Sequence, residues 1–386
     1  MTKDDYGLFS YANSIYSMFA LFTGLGMISA ILIYCAEKRP DDEKARYYRY
    51  GLTRGLAVDA LLVLVMFAAS LLVVFPLEDA GFFIGLLAPL LLIDYVFQFE
   101  TICLRSKKEN KRFAYLQVTY SLFYGSLSCI GAFLGGIIGV IVGRYLAYVA
   151  SVIVGVLLLK GLGLGIKDAG QLKREEASGM WRYSIENGAA SIMGQIVYLI
   201  NVVIVGQVLI DASSVAAYRV ATMLPEGFLF IPSSILVFTG PYFIEHNDDM
   251  RWFRKNAVRL FAATEAMMVV LAAVLIIFAE PIIVLLWGEI YLDSVPAFRV
   301  MAASLLITPL RTVCVNLLAC LRMTRENLII TALALVANVL AVFVLTNMYG
   351  IVGASWAVLG VISFAAVFSA VLLERRTRYT GDSASV

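Results

Sequence analysis

The chain has 386 residues, of which 61% are hydrophobic and 15% charged, with a mean hydropathy of +0.85. Soluble domains average nearer half apolar and about a quarter charged, so one or two water-soluble cores could not hide this much apolar surface, whereas a lipid-facing exterior can be as apolar as a core. The net charge of +2 is too small to suggest a nucleic-acid partner.

A membrane helix needs about 20 predominantly apolar residues. With that ruler the chain reads as eleven spans, at roughly 8–34, 52–75, 80–104, 113–134, 137–159, 181–206, 213–238, 257–279, 296–321, 327–347 and 350–373. The fourth and fifth are separated only by Gly135 and Gly136, and the seventh contains Pro225 and Pro232. The expected fold class is therefore all-α, a polytopic membrane protein of eleven transmembrane helices in two bundles.

The distribution of basic residues tests this count, because cytoplasmic loops collect Lys and Arg. Alternate connections are basic: EKRPDDEKARYYRYGLTR carries six, LRSKKENKR five, residues 160–182 five, residues 245–259 four, LRMTRE two and ERRTR three. Together these hold 25 of the 30 basic residues. The intervening connections PLEDAG, GGIIG, QVLIDASS, WGEIYLDS and NMYG hold none. This alternation predicts a multi-pass membrane protein with its C-terminus in the cytoplasm. Eleven spans then leave the N-terminus outside, and MTKDDYGLFSYA has no basic n-region or cleavage site of a signal peptide. A twelve-helix plan lacking its first helix is the expectation.

The longest connection, KGLGLGIKDAGQLKREEASGM, is polar and glycine-rich. It predicts an N-terminal lobe of five helices over 1–160, a cytoplasmic linker over 161–180, a C-terminal lobe of six helices over 181–376, and a disordered cytoplasmic tail over 377–386. Two equal bundles are a recurrent transporter plan. An ordinary long loop is the plainer reading of the linker.

Charges inside spans are costly, so each is a functional candidate. Arg144, Arg219 and Arg299 fall near the outer ends of their helices and Arg311 near mid-membrane. Guanidinium groups stay charged and bind phosphate bidentately, so Arg311, Arg219 and Arg144 are the candidate substrate-binding residues. The plainer alternative is that the outer arginines snorkel to the interface, which Arg299 favours beside a helix start. Of the acids, Asp94 and Glu226 lie nearest the midplane and are candidates for ion coupling, while Asp59, Glu100, Glu186 and Glu265 lie toward the cytoplasmic side. In YRVATMLPEGFLFIPSS, Pro225 and Pro232 disturb the helix beside Glu226, which suits a bent, pathway-lining helix and equally a packing kink. Asn187, Gln195 and Asn201 fall on the span after the linker, where interhelical hydrogen bonding explains them as well as a pathway does.

Other chemistries are not supported. His246 is the only histidine, and the five cysteines are scattered without metal-site spacing, so no metal and no cofactor are expected. No G-x-x-x-x-G-K-S/T loop and no Ser/His/Asp constellation occur. The chain is not read as an enzyme and has no catalytic residues to offer, a carboxylate-only membrane glycosyl transferase being the one enzyme class left open.

Three segments carry a family resemblance. DYGLFSYANSIYSMFALFTGLGM resembles the second helix of oligosaccharide flippases, EPIIVLLWGEIYLDSVPAFRVMAAS their ninth-to-tenth helix junction, and NMYGIVGASWAVLGVISF the start of their twelfth helix. From Tyr6 to Leu373 the chain is similar to the polysaccharide flippase branch of the multidrug/oligosaccharidyl-lipid/polysaccharide exporter superfamily. The resemblance implies two six-helix lobes and a cationic cavity. It also implies ion-driven alternating access that carries undecaprenyl-diphosphate-linked oligosaccharide units of O-antigen, capsule or exopolysaccharide from the inner to the outer leaflet. Implied partners are membrane lipid, the lipid-linked cargo, and the polysaccharide polymerase and glycosyltransferases of the same assembly, with no nucleic acid. The diphosphate would meet Arg311, Arg219 or Arg144. Two rivals remain: a multidrug cation antiporter of the same superfamily, and a non-transporting scaffold of a polysaccharide assembly complex.

Overall fold

The computed structural model describes residues 2–36, 40–162, 164, 169–246, 249–321 and 323–382, and among them there is no strand. Residues 163 and 165–168 of the expected linker, Arg322 in the LRMTRE loop, the side chain of Asn187 and residues 383–386 of the expected tail lie outside the described set. The chain divides into two compact units, Met1–Leu199 and Ile200–Val386.

The first unit opens with α1 (Lys3–Ala20), a 3-10 turn over Thr23–Gly26 and α2 (Met27–Ala36). It continues with α3 (Asp41–Leu72), α4 (Ala80–Leu87), α5 (Leu90–Ser106), α6 (Asn110–Leu159) and most of α7 (Arg174–Leu209). Local chemistry sets the start of α1: Thr2 Oγ1 accepts from the Asp5 backbone N–H at 3.1 Å, and the Asp5 carboxylate accepts from the Thr2 N–H at 2.8 Å. That reciprocal cap, with Asp4 and Asp5 beside it, satisfies N–H groups that a helix start leaves bare.

The second unit holds the end of α7, then α8 (Ala212–Gly227), α9 (Phe230–Glu245), α10 (Met250–Ile277), α11 (Ala279–Trp287) and a 3-10 turn over Glu289–Ser294. Next come α12 (Val295–Ser304), α13 (Thr308–Cys320) and α14 (Thr324–Asp382). Asp211 caps α8 through the N–H groups of Ser213 and Ser214, and Asp249 caps α10 through those of Arg251 and Trp252. The division between units falls inside α7, and α7 itself begins within the segment expected as linker. The helix α14 runs to Asp382, past residue 377, where the sequence predicts a disordered tail.

Among the described residues, six helical stretches are long and apolar enough to cross a membrane, or seven when the bent pair Glu289–Ser304 and Thr308–Leu318, angled by 41°, counts as one. In the apolar window of Asp41–Leu72 only 17% of residues are buried within the protein, so its apolar surface faces outward, which lipid permits and water does not. The chain is a multi-pass α-helical membrane protein.

Two of these stretches are hairpins, and each carries two of the apolar segments counted in the sequence. In α6 the backbone turns at Gly135 (φ −148°) and Gly136 (φ +57°, ψ −134°), the second a conformation that glycine alone adopts easily. Beyond the turn the arms run back along each other. A Cβ on Gly131 would collide with the Gly139 carbonyl, one on Gly143 with the Leu127 carbonyl, and Arg112 Nη1 donates to the Leu158 carbonyl at 2.9 Å. In α14 the reversal is at Gly350 (φ +60°), and Ile330 and Ala334 on one arm pack with Ala365 on the other. Gly139→Val should push the α6 arms apart, because backbone rather than a flexible side chain occupies the space. The expected loss is about 1–3 kcal/mol of stability, read as a lower thermal midpoint in detergent.

Inside the second unit, Asn338 Nδ2 donates to Asn201 Oδ1 at 2.6 Å, both residues being buried. This joins α7 to α14 and gives Asn201 a packing role. Asn338→Leu should cost about 1 kcal/mol by leaving Asn201 unpaired, measured by the same unfolding assay.

Candidate functional site

Unlike the membrane-facing surfaces, the interior of the first unit contains a polar and aromatic cluster. Its cation is Arg144, on the second arm of α6. Nη1 donates to Asn13 Oδ1 of α1 at 2.6 Å, and the guanidinium carbon lies 4.8 Å from the Phe9 ring centre and 5.2 Å from that of Tyr124. Two aromatic faces and one amide thus fix its position. Its Nε is buried and has no hydrogen-bond partner. A planar cation held in place with its Nε–H unspent can bond an anionic oxygen that reaches it.

The anion of the cluster is Asp94 on α5, which accepts from Gln98 Nε2 at 2.7 Å. Tyr16, Tyr120 and Tyr124 all lie within electrostatic reach of both Asp94 and Arg144. Asp94 and Arg144 form no ion pair among the described residues. The rings form a continuous wall: Phe97 and Tyr120 have centroids 4.5 Å apart, Tyr120 and Tyr148 5.1 Å, Tyr120 and Tyr124 5.6 Å. The Tyr16 hydroxyl is buried without a partner. Hydroxyl groups and ring faces suit a polyhydroxylated ligand, which needs both hydrogen bonds and flat apolar contact.

In the second unit the structure brings two of the sequence candidates together. Arg219 Nη1 donates to Glu226 Oε2 at 2.9 Å, with side chains 31% and 23% exposed. Both sit on α8 seven residues apart, two turns along one helical face. Pro225 lies inside α8 and the helix ends at Gly227, so the break expected around the prolines falls between Gly227 and Phe230. Arg311 is partly buried on α13, one turn after the bend from α12. Arg299 is exposed, consistent with an interfacial position. A cavity of about 220 Å³ lies between α10, α13 and α14, with Val313, Cys314 and Leu317 on its wall and the Arg254–Glu374 pair (3.8 Å) at its edge.

The tyrosines, Asn13 and Phe9 are the members of the first cluster that single charges in the sequence do not flag. Their spacing carries a signal nonetheless: Asp94 and Gln98, Tyr120 and Tyr124, and Arg144 and Tyr148 are all i, i+4 pairs in otherwise apolar stretches.

The profile of the family described as "Polysaccharide biosynthesis protein" matches residues 1–296, more than three quarters of the chain. The chain belongs to the polysaccharide biosynthesis protein family. No curated protein matches this family member in sequence. Its fold is shared with transporters of the MOP superfamily. One solved structure is an inward-facing multidrug resistance MATE family transporter, with a TM-score of 0.81, 17% identity, and coverage of 98% of this chain and 94% of that one. Another is the lipid II flippase MurJ in an inward closed conformation, with a TM-score of 0.73, 16% identity, and coverage of 97% and 81%. A third is a MOP superfamily transporter from Pyrococcus furiosus, described as having a binding pocket of reversed polarity, with a TM-score of 0.65, 16% identity, and coverage of 98% and 88%.

Proposed function

We propose that this polysaccharide biosynthesis protein is a transporter that flips undecaprenyl-diphosphate-linked oligosaccharide units from the inner to the outer leaflet of a bacterial cytoplasmic membrane by alternating access. The observation that carries the reading is Arg144, a guanidinium fixed by Asn13, Phe9 and Tyr124 with its Nε unspent, set in a wall of tyrosines. The cation suits a diphosphate and the rings suit sugars. Family membership supports a role in polysaccharide biosynthesis, and the fold shared with a lipid II flippase supports movement of a lipid-linked cargo.

In this reading Arg144, Arg219 and Arg311 meet the diphosphate at different stages, and Asp94 and Glu226 carry the coupling ion. Residues 1–160 and 181–376 act as the two lobes, with 161–180 as their linker, and the glycosyltransferases and polymerase of the same assembly make and consume the cargo. The direct test is reconstitution in liposomes with a lipid-linked oligosaccharide on the inner leaflet and a lectin outside. Time-dependent lectin binding is expected. Export of organic cations with no movement of the oligosaccharide would establish the antiporter instead, and a chain that moves neither would be a scaffold.

The orientation is tested separately. Twenty-five of the 30 basic residues fall in alternate connections, so a reporter that is active only in the cytoplasm should be active when fused after residue 382. The same reporter inserted at Asp79 should be silent, and the opposite pattern would invert the topology.

A further inference from the structure

Between α10, α13 and the second arm of α14, the second unit leaves an apolar space unfilled. Its volume is about 220 Å³, and Phe253, Val313 and Leu317 on its wall belong to a buried cluster that Phe261 and Leu373 extend. Ala257 and Ala370 also line it, each offering only a methyl group where a longer side chain would reach across. An empty apolar space forfeits dispersion contacts, and an engineered apolar cavity of about 150 Å³ stays dry and takes up benzene. This larger space suits an apolar guest rather than water.

The helices around the space define the guest's shape and its source. Arg254 and Phe261 both line it, two turns apart on α10, so it extends about 10 Å along that helix from a basic connection into the span. Val258 on the same wall is 61% exposed, and only 28% of the apolar window of α10 is buried, so the space opens sideways onto lipid. An apolar chain lying along a membrane helix, with one end at headgroup level, is the acyl chain of a phospholipid.

Charges at the mouth select the headgroup. Arg254 Nη2 and Glu374 Oε1 stand 3.8 Å apart there, both side chains being half-exposed. That separation is longer than a hydrogen bond, so both groups can turn toward a ligand at small cost. A phosphate would meet Arg254, and an ammonium group Glu374. Phosphatidylethanolamine carries both, joined by a two-carbon bridge, and its neutral head leaves the pair matched. Phosphatidylglycerol brings only the negative charge and sets it beside Glu374. Phosphatidylcholine has no N–H to donate to the carboxylate. Arg251, Lys255, Arg375 and Arg376 draw anionic lipid to this end of the protein as a diffuse field, but among the described residues none of them lines the space.

We infer that this space is a binding site for phosphatidylethanolamine, with the upper part of one acyl chain between α10, α13 and α14, the phosphate on Arg254 and the ammonium group on Glu374. The site requires only that the chain lie in a membrane, so it stands apart from the flippase reading.

The test uses the full chain purified in lipid-free detergent and titrated with phosphatidylethanolamine, phosphatidylcholine or phosphatidylglycerol of identical acyl chains. Bound lipid is counted by native mass spectrometry, and stability is read as the thermal midpoint. Phosphatidylethanolamine should raise the midpoint saturably, as a ligand of the folded state does, and bind more tightly than the other two. Glu374→Gln should weaken its binding by about fivefold, the scale of one half-exposed ion pair, and leave phosphatidylcholine unchanged. Ala257→Leu should fill the space, raising the midpoint without lipid and abolishing the further rise. Ala370→Leu fills the same space from α14 and replaces Ala257→Leu if that variant fails to fold. Equal binding of the three lipids would overturn the inference, as would tightest binding of phosphatidylglycerol or unchanged lipid uptake by a folded, filled variant. A midpoint raised by a polyprenyl diphosphate and not by phosphatidylethanolamine would also overturn it, by giving the space to a cargo tail. The lectin assay is read separately, so either proposal can fail without the other.

Discussion

Arg144→Ala should slow flipping of a lipid-linked oligosaccharide by about 30-fold or more, while leaving the protein folded. Truncating one member of a desolvated, hydrogen-bonded charge contact costs about 2–5 kcal/mol, and each 1.4 kcal/mol is tenfold. The low end applies if membrane water reaches the diphosphate, and the high end if the tyrosine wall excludes it. Arg144→Lys keeps the charge but loses the planar fork and the stacking on Phe9 and Tyr124, so its rate should fall between the two. Asn13→Ala releases only the Nη1 contact and should cost less than Arg144→Ala. Rates come from the lectin assay and folding from the thermal midpoint of each variant. Wild-type flipping by a stable Arg144→Ala protein would remove Arg144 from cargo recognition. A protein that fails to fold would shift the weight of the test to the Arg144→Lys and Asn13→Ala rates.

Much of the fold was legible because the bilayer imposes one dominant rule, that a crossing segment must be apolar and internally hydrogen-bonded. The pair Gly135–Gly136 between two apolar runs announced the α6 reversal, since a tight turn between antiparallel helices needs a positive φ. Pro225 and Pro232 announced a break near Glu226, and the break follows two residues after Pro225. The interruption at Gly24–Gly26 was not legible, because FALFTGLGMIS is mostly apolar and hydropathy does not register a backbone that unwinds inside the span. Arg144 was legible as a buried charge, but not its company. Asn13, Tyr16 and Tyr124 come from other helices or the other hairpin arm, and tyrosines in a membrane sequence ordinarily read as interface anchors. The partnership of Arg219 and Glu226 is within reach of the sequence, since seven residues is two helical turns, but each charge taken singly suggests a separate task.

That partnership supports a second strong expectation. Arg219→Ala and Glu226→Gln should each destabilise the second unit and impair transport, and the double variant should be less damaged than the sum of the two. The pair is 31% and 23% exposed, between the surface limit of about 0–1 kcal/mol and the 3–5 kcal/mol lost when one member of a fully buried pair is removed. A loss on the order of 2 kcal/mol for either single change fits that position, because each leaves one charge half-buried and unmatched. Removing both charges removes the mismatch, so a double-mutant cycle should report a favourable interaction of comparable size. Transport adds the functional discrimination. If Arg219 must release Glu226 to meet a diphosphate, the glutamate becomes free to take an ion only when cargo is present, which ties anion binding to ion uptake through one contact on α8. The double variant would then be stable and inactive. If instead the double variant flips cargo at the wild-type rate, the pair is a structural clasp beside Pro225, and the coupling role falls to the acids of the first unit.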